Sequence, residues 1–437
     1  MAKASLWSRD GRCLERLTRA NAAPGPGLDT RACEDWLVEA LGHFASHPVQ
    51  AIVPVAHGAA IAGLRSDAPA FTPPDYEWQP PAETLAAYRR GRDAFAVTGS
   101  PELPAGLNLG AQLPVLEAET GGFDGVTLLP YAQYWAWWLS GTAVSEVTSL
   151  GCHTDLWEPA AGTFSPMARQ RGWADRFAPL AKAGDMIGTL RPGLARRTGI
   201  SPEVRIHAGI HDSNAALNAA RGFAEIAGNE ATVLSTGTWF VAMRSPAMGA
   251  ALPRLDEARD CLVNVDARGR PVPSARWMGG REVERLGLAI DRPGIDGLTG
   301  VLQSGAMALP ALGGPFPGLA GGWLGEPASE AEGRAATALC AALTVDAMLD
   351  LLEARERLLV EGRFAAAELF VRALATLRPG MAVLTASEAA DASFGALRLV
   401  LPDLAAPGQL TRAEPLPFAL DEYRARWRAA IARKGEA

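Results

Sequence analysis

The chain of 437 residues is too long for one ordinary core, and its length points to two or three domains. Apolar residues at 48% and charged residues at 20% suit a globular protein and exclude a disordered one. A net charge of −7 argues against nucleic acid or an acidic membrane as partner, no run approaches the roughly 18 apolar residues of a membrane helix, and charges interrupt Met1 to Glu15 where a signal peptide is apolar, so a cytoplasmic protein is expected.

Residues 5–21 read as two short strands around the turn Arg9-Asp10-Gly11. Residues 32–47 read as a helix, and Ala51 to Val55 as a buried strand ending in His57-Gly58. A Pro-rich extended stretch runs from Thr72 to Pro81. Residues 128–140 are aromatic and helix-like, stopped by Ser140-Gly141. Val204 to Gly209 reads as another buried strand, leading through Ile210-His211-Asp212-Ser213-Asn214 into the small-residue helix Ala215 to Ala220. Ala231 to Leu234, Ser235-Thr236-Gly237-Thr238 and Trp239 to Met243 form a strand, turn and strand. The Pro- and Gly-rich stretch 310–325 reads as a loop. Residues 332–355 predict an amphipathic helix, with Leu339, Leu343, Ala347 and Leu351 on one side and Asp346, Asp350 and Glu353 on the other. A strand (Leu358 to Val360), a helix (Ala366 to Leu377), a strand (Ala382 to Thr385), a helix (Asp391 to Leu399) and a last helix (Leu420 to Arg433) follow. This βαβα order is that of an α/β protein. The boundary is placed near residue 219, giving domains 1–218 and 219–437, with no clear repeat between them.

Cys13, Cys33, Cys152, Cys261 and Cys340 are scattered, form no C-x-x-C pair, and read as reduced core or surface thiols. The six histidines form no H-E-x-x-H motif. None of Lys3, Lys182 and Lys434 sits in a P-loop, so phosphate chemistry here must use backbone amides, arginine or a metal. No G-x-S-x-G elbow supports a serine hydrolase.

Two motifs carry the chemistry. Asp212 lies where α/β folds place their ligands, and a carboxylate there can take a proton from a substrate hydroxyl attacking phosphorus. A plain helix N-cap is the competing reading. The turn Ser235-Thr236-Gly237-Thr238 can aim amides and hydroxyls at a phosphate, and an ordinary hairpin is the alternative.

Taken together, Gly209-Ile210-His211-Asp212-Ser213-Asn214-Ala215 and Ser235-Thr236-Gly237-Thr238-Trp239 resemble the G-x-H-D-x-x-A and S-x-G-T-[SW] motifs of the FGGY carbohydrate kinases. The resemblance implies a two-domain actin-like ATPase fold of duplicated ribonuclease-H-like domains, with the active site in the cleft between them. It implies an N-terminal sugar-binding and a C-terminal nucleotide-binding domain, Asp212 as catalytic base, and Ser235, Thr236, Gly237 and Thr238 as a phosphate-binding loop. Val55-Ala56-His57-Gly58 resembles the family's Q-x-H-G strand end, and Asp75 stands where the family has a sugar-binding Asp. His57, Asp75 and His211 are thus the expected sugar contacts. For His57 a hydrogen-bonded core histidine is an equal reading. The aromatic run Tyr131, Tyr134, Trp135, Trp137 and Trp138 is read as core, with stacking on a sugar as the alternative. Leu139-Ser140-Gly141 and Ser149 to Leu156 resemble the family's L-T-G and S-x-A-S-x-T-x-L.

Glu361-Gly362-Arg363 falls where the family's G-G-G adenosine loop lies, and Gly395 on the paired helix, so Gly362, Arg363 and Gly395 are expected near adenosine. The cofactors implied are ATP and Mg²⁺, with no metal ligand assigned. The acceptor implied is a small sugar, a ketose such as L-rhamnulose, L-fuculose or xylulose, and a homodimer is left open. The chain departs from the family at Glu361-Gly362-Arg363 and at its start. Met1 to Trp7 resembles the segment just after the family's D-x-G-x-[TS] loop, and the sequence as given shows no such loop. The alternative function is therefore a catalytically impaired sugar-binding or regulatory protein on the same fold.

Overall fold

Gly11, at φ +85°, turns the start of the chain back on itself. The flanking segments pair as an antiparallel hairpin, Ala2–Trp7 with Cys13–Arg19. The computed structural model describes residues 2–20, 25–247, 249–287, 295–388 and 390–435. The chain divides into two units. One holds Met1–Gly222, Val263–Pro271 and Ala390–Ala406; the other holds Phe223–Leu262, Val272–Ala389 and Pro407–Ala437.

In the first unit the strand expected over 51–55 is split. Pro54 has no N–H to give a ladder, so Ala51–Ile52 and Val55–Ala56 are separate strands. Their partners break at the same level. Arg205–His207 pairs parallel with Ala51–Ile52, and Ile210–His211 pairs parallel with Val55–Ala56. Between Arg205–His207 and Ile210–His211, Gly209 sits at φ +85°, and a Cβ there would meet the Pro54 carbonyl at 2.5 Å. Gln133 is buried and its Nε2 donates to the carbonyls of Ala208 and Gly209, which the break leaves outside the ladder. The paired interruption delivers His57 and Asp212 one step beyond the registered pair Ala56 and His211.

Residues 128–130, expected as helix, close the strand Val126–Pro130, because the residue before a proline is held extended. The helix proper is Tyr131–Ser140, ended by Gly141 in the left-handed region with its amide on Trp137 O. Tyr134, Trp135 and Trp137 are buried in one cluster with Leu129 and Ala62, as the core reading required.

The second unit is built on a seven-stranded sheet. Its order is Cys261–Val265, Pro271–Trp277, Phe240–Ser245, Ala231–Thr236, Arg357–Gly362, Ala382–Ala386 and Leu410–Arg412. The three strands Ala231–Thr236, Arg357–Gly362 and Ala382–Ala386 run parallel, and Glu368–Leu377 makes the helical crossover between the last two. Gly322–Leu324 forms a short antiparallel pair with Met307–Leu309, so the stretch 310–325 is not all loop.

The long helix, Glu330–Leu351, is not amphipathic in its setting. Residues all round it are buried, and Asp346, assigned by pattern to the outer side, is wholly buried. Its charge is met by Arg378 Nε at 2.6 Å, Arg424 Nη2 at 2.7 Å and Arg428 Nη2 at 2.8 Å. A buried carboxylate is tolerated only with such partners. Among the described residues no helix is long and apolar enough to cross a membrane.

Candidate functional site

The residues singled out in the sequence gather into two sets, one in each unit. In the first unit Asp212 opens the helix Asp212–Ala220. It does not act as its N-cap: His211 holds that position and makes no side-chain cap bond. Instead Asp212 Oδ1 accepts from Ser213 N at 2.6 Å and lies 3.2 Å from His211 Nε2. The carboxylate is half exposed, as a group that meets a substrate must be.

His57 sits beside it, its ring between two tyrosines. Tyr76 lies edge-on at 5.4 Å between centroids, and Tyr131 is tilted at 5.2 Å. His57 Nδ1 is sealed from solvent and has no hydrogen-bond partner among the described residues. Burial holds the His57 pKa below the usual imidazole range, and the Asp212 carboxylate pulls it partly back. Burial likewise lowers His211, again opposed by Asp212. Tyr76 is pushed up by burial, with Glu77, Asp75 and Asp212 adding to it. Asp75 turns its own loop, its Oδ1 accepting from Glu77 N at 2.9 Å. His57, Asp75, His211 and Asp212 are therefore electrostatic neighbours, with two neutral imidazoles beside two carboxylates.

Behind this set lies a relay that the sequence reading did not find. His211 N donates to Thr148 Oγ1 at 3.0 Å, and Thr148 Oγ1 donates to the buried Glu146 at 2.5 Å. Glu146 Oε2 also accepts from the amides of Thr148 and Ser149, capping the short helix Val147–Leu150. Burial pushes the Glu146 pKa up to about 7. Nothing in the spacing of Glu146 and His211 announces that link.

In the second unit Ser235 and Thr236 end the strand Ala231–Thr236, and Gly237, Thr238 and Trp239 form an exposed loop into Phe240–Ser245. The Gly237 amide is occupied by Trp239 O at 3.0 Å. A Cβ at Gly237 would meet nothing nearer than that same carbonyl, at 3.9 Å. Thr236 lies in register with Gly362 on the neighbouring parallel strand. Thr236 Oγ1 donates to Glu361 O at 2.5 Å and accepts from Phe364 N at 3.0 Å. The turn and the segment Glu361-Gly362-Arg363 are thus brought together at the carboxyl ends of adjacent parallel strands, where open α/β sheets bind ligands. Gly362 is at φ +86°, and a Cβ there would strike Thr236 O at 2.2 Å. Arg363 is exposed. Gly280 was not foreseen: a Cβ on it would lie 2.1 Å from Gly237 O, so it lets the helix Gly279–Arg285 press against the turn.

Gly395 is not brought to Gly362 and Arg363 within one unit. It lies in the first unit, on the helix Ala392–Val400, where a Cβ would be 1.8 Å from Ala215 O. Asn218 Nδ2 donates to its carbonyl at 2.8 Å. Close helix packing accounts for this glycine.

A carbohydrate kinase from Novosphingobium aromaticivorans superposes with a TM-score of 0.93 at 53% identity, over 98% of this chain and 97% of that one. The chain belongs to the FGGY carbohydrate kinase family. The family profile described as "Carbohydrate kinase FGGY, C-terminal domain" matches residues 228–409. L-fuculokinase of Haemophilus influenzae is 33% identical over 115 residues, which is 26% of this chain and only 23% of that protein. A xyloylose kinase from Brucella ovis shares the fold at a TM-score of 0.78 and 19% identity, over 99% of this chain and 96% of that one. The fold of this FGGY kinase is accordingly the two-domain actin-like ATPase fold, and its class is that of the ATP-dependent sugar kinases.

Proposed function

We propose that this FGGY kinase phosphorylates a small ketose, with Asp212 as general base. The observation that carries the reading is the half-exposed Asp212 carboxylate at a strand-to-helix junction, flanked by His211 and by the tyrosine-framed His57. Asp212 accepts the proton of the sugar hydroxyl as its oxygen attacks phosphorus. His57 and Asp75 hold neighbouring hydroxyls, one as donor or acceptor according to tautomer and one as acceptor. Tyr76 and Tyr131 fix the His57 ring in place. His211 donates from Nε2 to Asp212 and keeps the carboxylate oriented.

The residues of the second unit fit a nucleotide. Ser235 and Thr238 present hydroxyls and Gly237 an unobstructed glycine at the strand end, Thr236 ties the turn to the neighbouring strand, and Gly362 and Arg363 border adenosine. Mg·ATP supplies the phosphoryl group, with part of its charge neutralised, when bound there. Mg²⁺, a hard cation that takes oxygen ligands, would suit the oxygen-rich phosphates better than the histidines of the first unit. Gly395 is left out of the nucleotide set, because packing against Ala215 explains it.

Coupled measurement of ADP release with a panel of ketoses and aldoses tests the reading. Turnover with one or more ketopentoses or 6-deoxyketohexoses, and not with their aldose isomers, is expected. Preference for aldoses or polyols would overturn the ketose assignment. Sugar binding without any ADP release would instead favour the sugar-binding alternative.

A further inference from the structure

Cys152, His153 and His211 each bring one ligand atom into a group whose members lie within 4.8 Å of one another. All three belong to the first unit. We propose that this thiol and two imidazoles form a binding site for a soft or borderline divalent cation of the zinc class, separate from the magnesium that travels with ATP. One sulfur and two nitrogens are the donors such ions prefer, and they are poor ligands for Mg²⁺. Around a tetrahedral ion with bonds of about 2.0–2.3 Å, the ligand atoms stand roughly 3.3–3.8 Å apart, so small side-chain rotations close the site.

The surroundings set the ligand tautomers. His153 Nδ1 donates to Leu107 O at 2.8 Å, which leaves the lone pair on Nε2. His211 can adopt two arrangements. In one, Asn214 Nδ2 donates to His211 Nδ1 at 3.2 Å, and Nε2–H faces Asp212. In that arrangement Asn214 Oδ1, on a residue 2% exposed, is buried with no hydrogen-bond partner among the described residues. Turning the Asn214 amide over presents Oδ1 to Nδ1–H and frees the Nε2 lone pair for a metal. The turned amide pairs Oδ1 with the tautomer that ligation requires and moves the unpartnered position to Nδ2. Gly58 keeps the approach clear, since a Cβ there would lie 2.3 Å from Cys152 Sγ and 3.2 Å from His211 Nε2.

Ligation is a plain exchange of protons for metal. The Cys152 S–H bond breaks, the sulfur–metal bond forms, the proton leaves to solvent, and nothing is oxidised or reduced. Three protein ligands leave a fourth position for water or an oxygen of a bound molecule. The ion takes over the nitrogen that otherwise faces Asp212, so the carboxylate loses the contact that orients it. The predicted consequence is inhibition of sugar phosphorylation, and this last step rests on Asp212 being the base.

Co²⁺ is the probe, titrated into the whole protein with a thiol-free reductant. One equivalent should produce a thiolate-to-cobalt charge-transfer band and tetrahedral d–d bands, reversed by Zn²⁺ and not by Mg²⁺. The charge-transfer band should vanish in Cys152→Ser and persist in Cys13→Ser. His153→Gln should weaken binding at least about tenfold, and so should Asn214→Ala, on the scale of a lost supporting contact to a metal ligand. Should Cys152→Ser fail to fold, the His153 and Asn214 variants carry the test. No band in the wild type at saturating Co²⁺, a band retained in folded Cys152→Ser, or unchanged affinity in both other variants would overturn the site. Normal turnover of cobalt-loaded protein would overturn only the coupling to Asp212. Failure of the base assignment itself would show separately, as undiminished turnover in metal-free Asp212→Asn.

Discussion

His57 in the first unit and Gly237 in the second occupy similar places, each just past the end of a strand. Their surroundings differ in kind. His57 is packed between two tyrosine rings, with a sealed nitrogen and carboxylates nearby. Gly237 is exposed, and the space where its side chain would stand is open. One region offers closely packed side chains, the other an open loop around a glycine. A sugar offers hydroxyls in a fixed pattern and calls for the first. A polyphosphate offers many equivalent oxygens and is served by the second.

The sharpest way to break this contrast is at the carboxylate. Asp212→Asn should lower kcat by roughly two or more orders of magnitude, the scale of a lost general base. Its melting temperature should barely move, because the side chain is half exposed and an asparagine Oδ1 can still accept from Ser213 N. Steady-state kinetics with a thermal melt decide it, and near-normal turnover removes Asp212 from the chemistry.

Gly237→Val probes the backbone side. The added side chain meets no protein atom closely, so folding should change by no more than about 0.5 kcal/mol. ATP affinity should fall on the order of tenfold, about 1.4 kcal/mol, with sugar affinity unchanged. Titration calorimetry with each ligand separates the two, and unaltered ATP binding reduces the turn to a hairpin.

A neighbouring glycine should behave in the opposite way. Gly362→Ala forces a side chain onto Thr236 O at a backbone angle suited to glycine, and should cost of order 1–3 kcal/mol of stability. Denaturant unfolding measures it. A loss of ATP affinity with full stability would mean that Gly362 serves the ligand rather than the fold.

The smallest effect is expected at Glu146. Its folded pKa of about 7 lies above the ordinary 4.5, so the native state binds the extra proton between those values. Its contribution is full below pH 4.5 and is lost as pH rises through 7. Glu146→Gln removes that slope. Its melting temperature relative to wild type should be higher at pH 8 than at pH 5. The depressed histidines, His57, His207 and His211, give the opposite slope in both proteins and cancel in the difference. An equal offset at both pH values would mean that Glu146 is ionised throughout.

Much of this was legible in the sequence, and the limits have physical causes. The Asp212 and Gly237 motifs could be read because each is a short local run whose spacing encodes its own strand, turn and helix. The meeting of Cys152 and His153 with His211 could not, because the segment after the short helix Val147–Leu150 reaches His211 through packing and the His211–Thr148 bond, and no motif spans residues so far apart in sequence. Gly395 stood out as a glycine, but the sequence does not say whether a missing Cβ makes room for a ligand or for a helix; in the fold a Cβ there would meet Ala215 O. The long helix Glu330–Leu351 was misread for a related reason. A periodic pattern predicts a wet face only when one side is packed, and Asp346 is covered by arginines from Arg378, Arg424 and Arg428.

Thr236 has a mechanical meaning beyond its place in the turn. A single hydroxyl is shared by two backbone segments, giving its proton to Glu361 O and taking one from Phe364 N. The strand end and the neighbouring loop are therefore pinned like two leaves on one rivet. Displacing either by an ångström must stretch a bond to the other. The parallel ladder sets the register of the two strands, and this hydroxyl fastens its last rung to the loop beyond it, so Thr236→Val would loosen that end while leaving the exposed groups of the turn in place.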